Sequence, residues 1–378
     1  MERCSLCILP RTDYFSFDKD GVCVLCSAAK RAGQATVDAA KNAAVVEEYV
    51  EKMKRSGRGA EFDCVMGISG GRDSCYLLYL LVKKHNLRCL ATYYRPPFTP
   101  DAIDANVRRL TQKLDVPLME LKIPVDYHIR IARELSVLWA KKPTPLIANM
   151  TCAPCKLIHR DIYKIAKSKN VKAVVFGGNR FEMIQLSSGA AKIAVTNTVS
   201  RAKEMHKLRN QLRKHMGLVG KGINALRGSW ELWRYVPLGV KASVMYMSPH
   251  TPFIRSAYPN ITCFEYFYHA DWDETECNQA LKEQGWELPP HAHSYWRADC
   301  TFAEIKNLMF RKMTGMTYMD AFLSNMVRAG VLSREEALKR VEIEGKPSPE
   351  RLLECYKVLD LPEKCIRALE GEERISGL

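Results

Sequence analysis

A compact apolar run, Phe62 to Ile68, leads directly into Ser69-Gly70-Gly71-Arg72-Asp73-Ser74, and helical periodicity follows from Ser74 to Lys84. An unbroken apolar run of this length reads as a strand buried on both faces, as in a parallel sheet. Two adjacent glycines admit close approaches that a Cβ forbids. The first N–H groups of a helix lack intrahelical acceptors, and the helix dipole favours negative charge beside them. The Ser69 and Ser74 hydroxyls can donate to phosphate oxygens, and Asp73 can help hold Mg2+. A glycine turn capped by a serine is the plain alternative. All six residues together, behind a buried strand, point instead to a phosphate site.

The alternation continues. Leu87 to Tyr94, Leu118 to Ile123 and Lys172 to Phe176 read as further strands, with helices over Asp101 to Leu114 and Leu157 to Lys167. Strands alternating with helices predict an α/β fold with a parallel, doubly wound sheet. Residues 1–35 form a separate cysteine-paired region, 36–275 the α/β domain and 276–378 a helical region. Thr36 to Ser56 reads as a connecting helix that stops at Gly57. In the tail, Ser333 followed by Glu336 is a capping signal, and Gly330 closes the helix before it. Between about 186 and 236 the alternation breaks into a basic, mostly helical insertion, with Lys192, Arg201, Lys203, Lys207, Arg209, Arg213 and Lys214 among its cations.

With 378 residues the chain can bury a sizeable core, and no apolar run approaches the ~18 residues of a membrane span. The start Met1-Glu2-Arg3-Cys4 shows no signal-peptide pattern, so a cytoplasmic protein is expected. The formal charge of +15 exceeds what one nucleotide needs and predicts an anionic partner: a sugar nucleotide, a nucleic acid such as tRNA, or an anionic membrane surface.

Fourteen cysteines in such a chain suggest metal rather than disulfides. Cys4-x2-Cys7-x15-Cys23-x2-Cys26 has the spacing of a four-thiolate zinc knuckle, a closed and therefore structural site. Cys152-Ala153-Pro154-Cys155 is a second pair and needs further ligands. A second zinc completed by Cys300 or a histidine is one reading of it, and a redox or merely structural pair is another. Cys64, Cys75 and Cys89 fall in strand or helix patterns and read as core.

Ser-Gly-Gly-x-Asp-Ser after the first strand resembles the signature of the PP-loop, or adenine-nucleotide α-hydrolase, superfamily; the Walker A spacing is absent. The resemblance implies that ATP adenylates a carbonyl oxygen, that pyrophosphate leaves, and that a nitrogen or sulfur nucleophile then displaces AMP. It implies catalytic roles for Asp73 and Arg72, with Arg72 on phosphate. It also implies adenine near Ala91, Thr92 and Tyr93, and a ligand-facing turn at Gly177-Gly178-Asn179. PP-loop enzymes that thiolate tRNA carry a Cys-x2-Cys and one later cysteine around a [4Fe–4S] cluster. Cys152, Cys155 and Cys263 fall in that order, with Cys263 placed after the last core strand.

A broader resemblance is to the N-acetyl sugar amidotransferases of lipopolysaccharide and other surface-glycan biosynthesis. It rests on Arg3 to Pro10, Gly21 to Cys26, Thr99, Asn106 and the tail Leu323 to Leu338. It implies an acetamido-to-acetamidino conversion on a sugar nucleotide. No glutaminase domain is visible, so ammonia would come from a separate glutaminase subunit. The segment His293 to Cys300 departs from that family; its Arg297 and Asp299 are expected either to face the active site or to pair and hold the tail on the core.

Overall fold

The computed structural model describes residues 2–12, 15–31, 39–182, 230–235, 237 and 248–371. Almost all of the expected basic insertion therefore lies outside the described residues. After a short helix α1 (Val24–Arg31), the connecting helix α2 spans Ala39–Ser56 and stops before Gly57, as its pattern predicts.

Five strands form one parallel sheet: β1 (Cys64–Ile68), β2 (Cys89–Tyr93), β3 (Leu118–Glu120), β4 (Ala173–Phe176) and β5 (Thr262–Glu265). Their order is β3-β2-β1-β4-β5. The chain works outward from β1 to β3, then returns to lay β4 on the other side of β1. In open α/β sheets, ligands bind at that reversal, beyond the carboxyl ends of the strands. The residues after β1 and β4 are Ser69 onward and Gly177 onward.

Side chains alternate across the sheet. Met66, Ala91 and Val175 face a core with α3 (Arg72–Tyr79) and α4 (Asp101–Lys113). Val65, Leu90 and Val174 face α7 (Leu157–Ser168) through Ile162, Tyr163 and Ala166. Two expected boundaries move. β1 begins at Cys64 rather than Phe62; before it, Asp63 N donates to Arg88 O at 2.8 Å and the Asp63 carboxylate accepts from Arg88 Nη2 at 2.6 Å. α3 begins at Arg72 rather than Ser74 and continues as a π-turn over Leu80–Lys84, so the glycine loop becomes helix without an intervening spacer.

A second core joins α5 (Val125–Lys141) and α6 (Pro145–Met150) to the tail helices α10 (Phe302–Thr314), α13 (Pro349–Leu359) and α14 (Glu363–Glu370). Between these lie α8 (Pro252–Ala257), α9 (Glu274–Glu283), α11 (Tyr318–Arg328) and α12 (Arg334–Glu344). Ser333 caps α12 by accepting from Glu336 N, and Gly330 sits at φ +73° after α11.

Candidate phosphate site and cysteine centres

Gly70 has φ +85°, and a Cβ there would lie 2.5 Å from Ile103 Cγ2. Both the conformation and the close packing of α4 demand glycine. Gly71 is the N-cap of α3 and no side chain caps that end, so the first-turn N–H groups remain directed outward. Ser69 and Ser74 are bonded to each other, Oγ to Oγ at 3.1 Å, and Ser74 Oγ donates to Gly71 O at 3.0 Å. The loop is thus pre-shaped, with amides and hydroxyls gathered at the end of β1.

Asp73 is fixed from three sides. Its Oδ1 accepts from Arg72 Nε at 2.9 Å and from Trp272 Nε1 at 3.3 Å, and its Oδ2 from Asn179 Nδ2 at 3.0 Å. Asn179 is itself oriented by Phe181 N donating to its Oδ1 at 2.9 Å. Gly177 lets the second turn close on the first: a Cβ there would come 3.3 Å from Ser74 Cα. Gly178 lies against Tyr268. The sheet reversal therefore brings Ser69, Gly70, Gly71, Asp73, Ser74, Gly177, Gly178 and Asn179 together beyond the ends of β1 and β4.

Two expected residues take other roles. Arg72 is not positioned as a phosphate ligand. It is 3% exposed, bonds Glu274 Oε1 at 2.5 Å and stacks on Trp272 at 4.7 Å. Burial opposes its charge, but Asp73 and Glu274 hold it firmly protonated. Thr92 is not offered to a nucleotide either: it is 1% exposed, and its hydroxyl donates to Met66 O at 2.9 Å within the sheet.

Sequence reasoning missed Trp272 and Trp286, whose indole Nε1 donates to Gly70 O at 3.0 Å. Trp286 follows the end of α9, and nothing local marks it as a loop partner. Asp299 does approach the site: a Cβ on Gly71 would meet its Oδ2 at 3.0 Å. Arg297 pairs with Glu182 at 3.4 Å, and burial raises the Glu182 carboxyl above its ordinary value.

The N-terminal cysteines converge. Their sulfurs all lie within 4.8 Å of one another, and all four residues are buried. Cys4 to Cys26 is 3.9 Å and Cys7 to Cys23 is 3.8 Å. A tetrahedron with ~2.3 Å Zn–S bonds has edges of about 3.8 Å, so the donor set fits zinc. Leu9 N and Cys23 N donate to Cys7 and Cys4 sulfurs, and Arg328 Nη1 reaches Cys7 Sγ at 3.2 Å, a second shell suited to thiolates.

Cys152, Cys155 and Cys263 do not converge. Cys263 lies on β5, not after it, level with Val174, Val65 and Leu90. Cys155 Sγ lies 3.6 Å from His128 Nε2, and His128 Nδ1 is 3.0 Å from the Tyr94 hydroxyl, beyond the end of β2. Three strand spacings across and about four residues along put these places on the order of 15–20 Å apart. Cys263 instead faces His250, at 3.9 Å, in an open cavity of about 470 Å3 lined by Tyr49, Tyr163 and Tyr258. Burial opposes charge on His250, but Cys263 and Glu265 raise its pKa to about 10.

No model of a known protein family matches the chain, and no curated protein does. Among solved structures it is similar to NMN synthetase from Francisella tularensis, at 15% identity over 81% of this chain and 95% of that one, with a TM-score of 0.35. The NH3-dependent NAD synthetase from Campylobacter jejuni subsp. jejuni matches at 15% identity over 55% and 93%, with a TM-score of 0.27. The U34-tRNA thiolase NcsA from Methanococcus maripaludis, with its [4Fe-4S] cluster, matches at 12% identity over 100% and 92%, with a TM-score of 0.33. These likenesses are distant.

Proposed function

We propose that this protein is an ATP-dependent transferase that adenylates a carbonyl oxygen of its acceptor and releases pyrophosphate. One observation carries the reading: an uncapped helix start and two paired serine hydroxyls stand at the sheet reversal beside an Asp73 held by three donors. The amides and hydroxyls would bind the leaving pyrophosphate, and Asp73 would hold the Mg2+ that neutralises its charge. Adenylation converts a poor oxygen leaving group into AMP, so a weak nucleophile suffices. Pyrophosphate release from Mg-ATP in the presence of acceptor, lost in Asp73→Ala while the fold persists, is the test. Wild-type turnover in that variant would end the proposal.

For the acceptor we favour the N-acetyl group of a sugar nucleotide in surface-glycan assembly, with ammonia delivered by a separate glutaminase subunit in the cytoplasm. The support is the resemblance of the tail Leu323 to Leu338, whose Asn325, Arg328 and Arg334 contact the turn after β4 and the N-terminal cysteines. Sulfur transfer to tRNA or a small acceptor is the second reading. It is favoured by the cysteines near the phosphate loop and by the basic stretch, which suits phosphate backbones.

A further inference from the structure

We propose that the cavity along β5 is a modification site, in which Cys263, set against His250, exchanges with small anionic disulfides. The proposal goes beyond the transferase reading and does not rest on it.

Side chains from four elements build the site. Cys263 lies on β5, the last strand in the sheet order, and is half-buried. His250 Nε2 lies 3.9 Å from Cys263 Sγ and 3.3 Å from Glu265 Oε2. The segment carrying His250 is anchored on both sides. The Tyr163 hydroxyl donates to Pro249 O at 3.0 Å, and Thr251 caps α8 by accepting from Ile254 N. Tyr49 from α2, Tyr163 from α7, and Arg255 and Tyr258 from α8 and its end complete the lining. The Tyr49 ring stacks on Phe264 at 4.2 Å, and the Tyr163 and Tyr258 rings meet at 5.4 Å.

The nucleophilic form of a cysteine is its thiolate, and a neighbouring imidazolium favours that form. Burial opposes the charge of His250, but Cys263 and Glu265 outweigh it. Both partners meet the same ring nitrogen. An acyl-transfer triad uses the two nitrogens separately, one on the nucleophile and one on the carboxylate. The arrangement thus supplies an ion-paired sulfur without a proton relay, which suits thiol–disulfide exchange. In that step the Cys263 thiolate attacks one sulfur of the disulfide and a new S–S bond forms. The old S–S bond breaks, and the departing thiolate keeps the electron pair and takes a proton from water. Cys263 is oxidised and the small disulfide is reduced, so no further oxidant is needed. The cap is reversible by the same exchange.

Size and charge give the ligand class. The cavity of about 470 Å3 falls within the roughly 300–1,000 Å3 of small-molecule sites. Its cations are His250 and Arg255, and no Asp or Glu is among its described lining residues. A disulfide bearing carboxylates complements that lining. Burial raises the thiols of Cys75, Cys277, Cys355 and Cys365 above their ordinary value, which makes them poor competitors. Burial also opposes charge on Cys152, but Lys306 and Lys156 lower its pKa, so Cys152 is the competing thiol.

The test treats full-length protein, reduced and then freed of reductant, with glutathione disulfide or cystamine at neutral pH. Peptide mapping by mass spectrometry follows each cysteine separately over time. The Cys263 mixed disulfide with glutathione should form at least fivefold faster in the native protein than in the urea-unfolded chain. That native advantage should be larger for anionic glutathione disulfide than for cationic cystamine. His250→Gln should slow the native Cys263 reaction at least fivefold, with circular dichroism and zinc content unchanged. Should His250→Gln perturb the fold, Arg255→Ser at an exposed position keeps the test, and should slow glutathione disulfide but not cystamine. A native Cys263 that stays unmodified, or reacts no faster than in urea, would overturn the proposal. So would a native advantage as large for cystamine, or a well-folded His250→Gln that reacts within fivefold of wild type.

Discussion

Replacing Arg72 by Met separates the role the loop pattern suggests for this side chain from the one the structure gives it. The Arg72 side chain is 2% exposed and lies between Asp73 and Glu274, on the face of Trp272. Breaking a buried ion pair by deleting one partner costs roughly 3–5 kcal/mol, because the other charge is stranded. Here the stranding is partial: Glu274 keeps Arg340 at 2.6 Å, and Asp73 keeps Asn179 and Trp272. The lower end, about 3 kcal/mol, is therefore expected. With an unfolding entropy of about 2.1 cal/mol/K per residue, the 378-residue chain should lose roughly 4 °C in Tm. Thermal unfolding followed by circular dichroism reads the shift, and titration with a non-hydrolysable ATP analogue reads affinity. Arg72→Lys should recover little, since one ammonium cannot reproduce the forked contacts. An unchanged Tm with analogue affinity reduced tenfold or more would refute the strut and return Arg72 to the phosphates.

Gly70→Ala should cost roughly 2–4 kcal/mol in urea unfolding, combining left-handed strain with overpacking against Ile103; a cost below about 0.5 kcal/mol would contradict the loop geometry. Asp73→Asn should cut pyrophosphate release at least a hundredfold and lower Tm by an amount similar to Arg72→Met, because an amide has one acceptor oxygen and cannot accept from both Arg72 and Asn179. Cys23→Ser should take zinc from about one per chain to near zero and loosen the packing of the tail helices, checked by metal analysis and limited proteolysis. Burial, with Lys84 and Lys54 nearby, lowers the His85 pKa, and its Nε2 contacts the Tyr266 hydroxyl at 2.7 Å. A depressed folded pKa means the unfolded chain takes up the proton first. The His85 contribution to stability is thus present above about pH 6.5 and is lost as pH falls toward the folded value. His85→Gln should flatten that acid limb, and an unchanged limb would exclude His85 as its source.

The parts of the site legible in the sequence are those encoded locally. Strand, glycine pair and helix start fall within about a dozen residues, and the knuckle announces itself by two Cys-x2-Cys pairs. Helix α5 is absent from the pattern reading above, although Ile131, Leu135, Leu138 and Trp139 recur at helical spacing and are buried. What the pattern hides is long-range. Arg72 reads as a phosphate ligand until Glu274 and Trp272, two hundred positions on, are brought beneath it. Thr92 reads as a nucleotide contact until strand pairing commits its hydroxyl to Met66. The family resemblance implies Cys263 as the partner of Cys152 and Cys155; sheet register sends it three strands away from them.

The knuckle and the phosphate loop are joined by a continuous run of short contacts. Arg328 bonds Cys7 Sγ at 3.2 Å, and Arg334 bonds the carbonyls of Cys4 and Cys7 at 3.2 and 3.0 Å. Arg3 pairs at 2.6 Å with Asp320, the residue that closes the capping box of α11. On the same helix Asn325 donates to Phe181 O at 2.8 Å, Phe181 N bonds Asn179, and Asn179 bonds Asp73. Four thiolates on one zinc would leave a net negative centre, which Arg328 would offset. Metal binding there would fix the helix that orients the carboxylate. A metal centre too closed for chemistry can still set the precision of the reacting site, because a carboxylate displaced by an ångström no longer meets its ion. The tail and the knuckle read, on this account, as the outer frame of the phosphate loop rather than as appended modules.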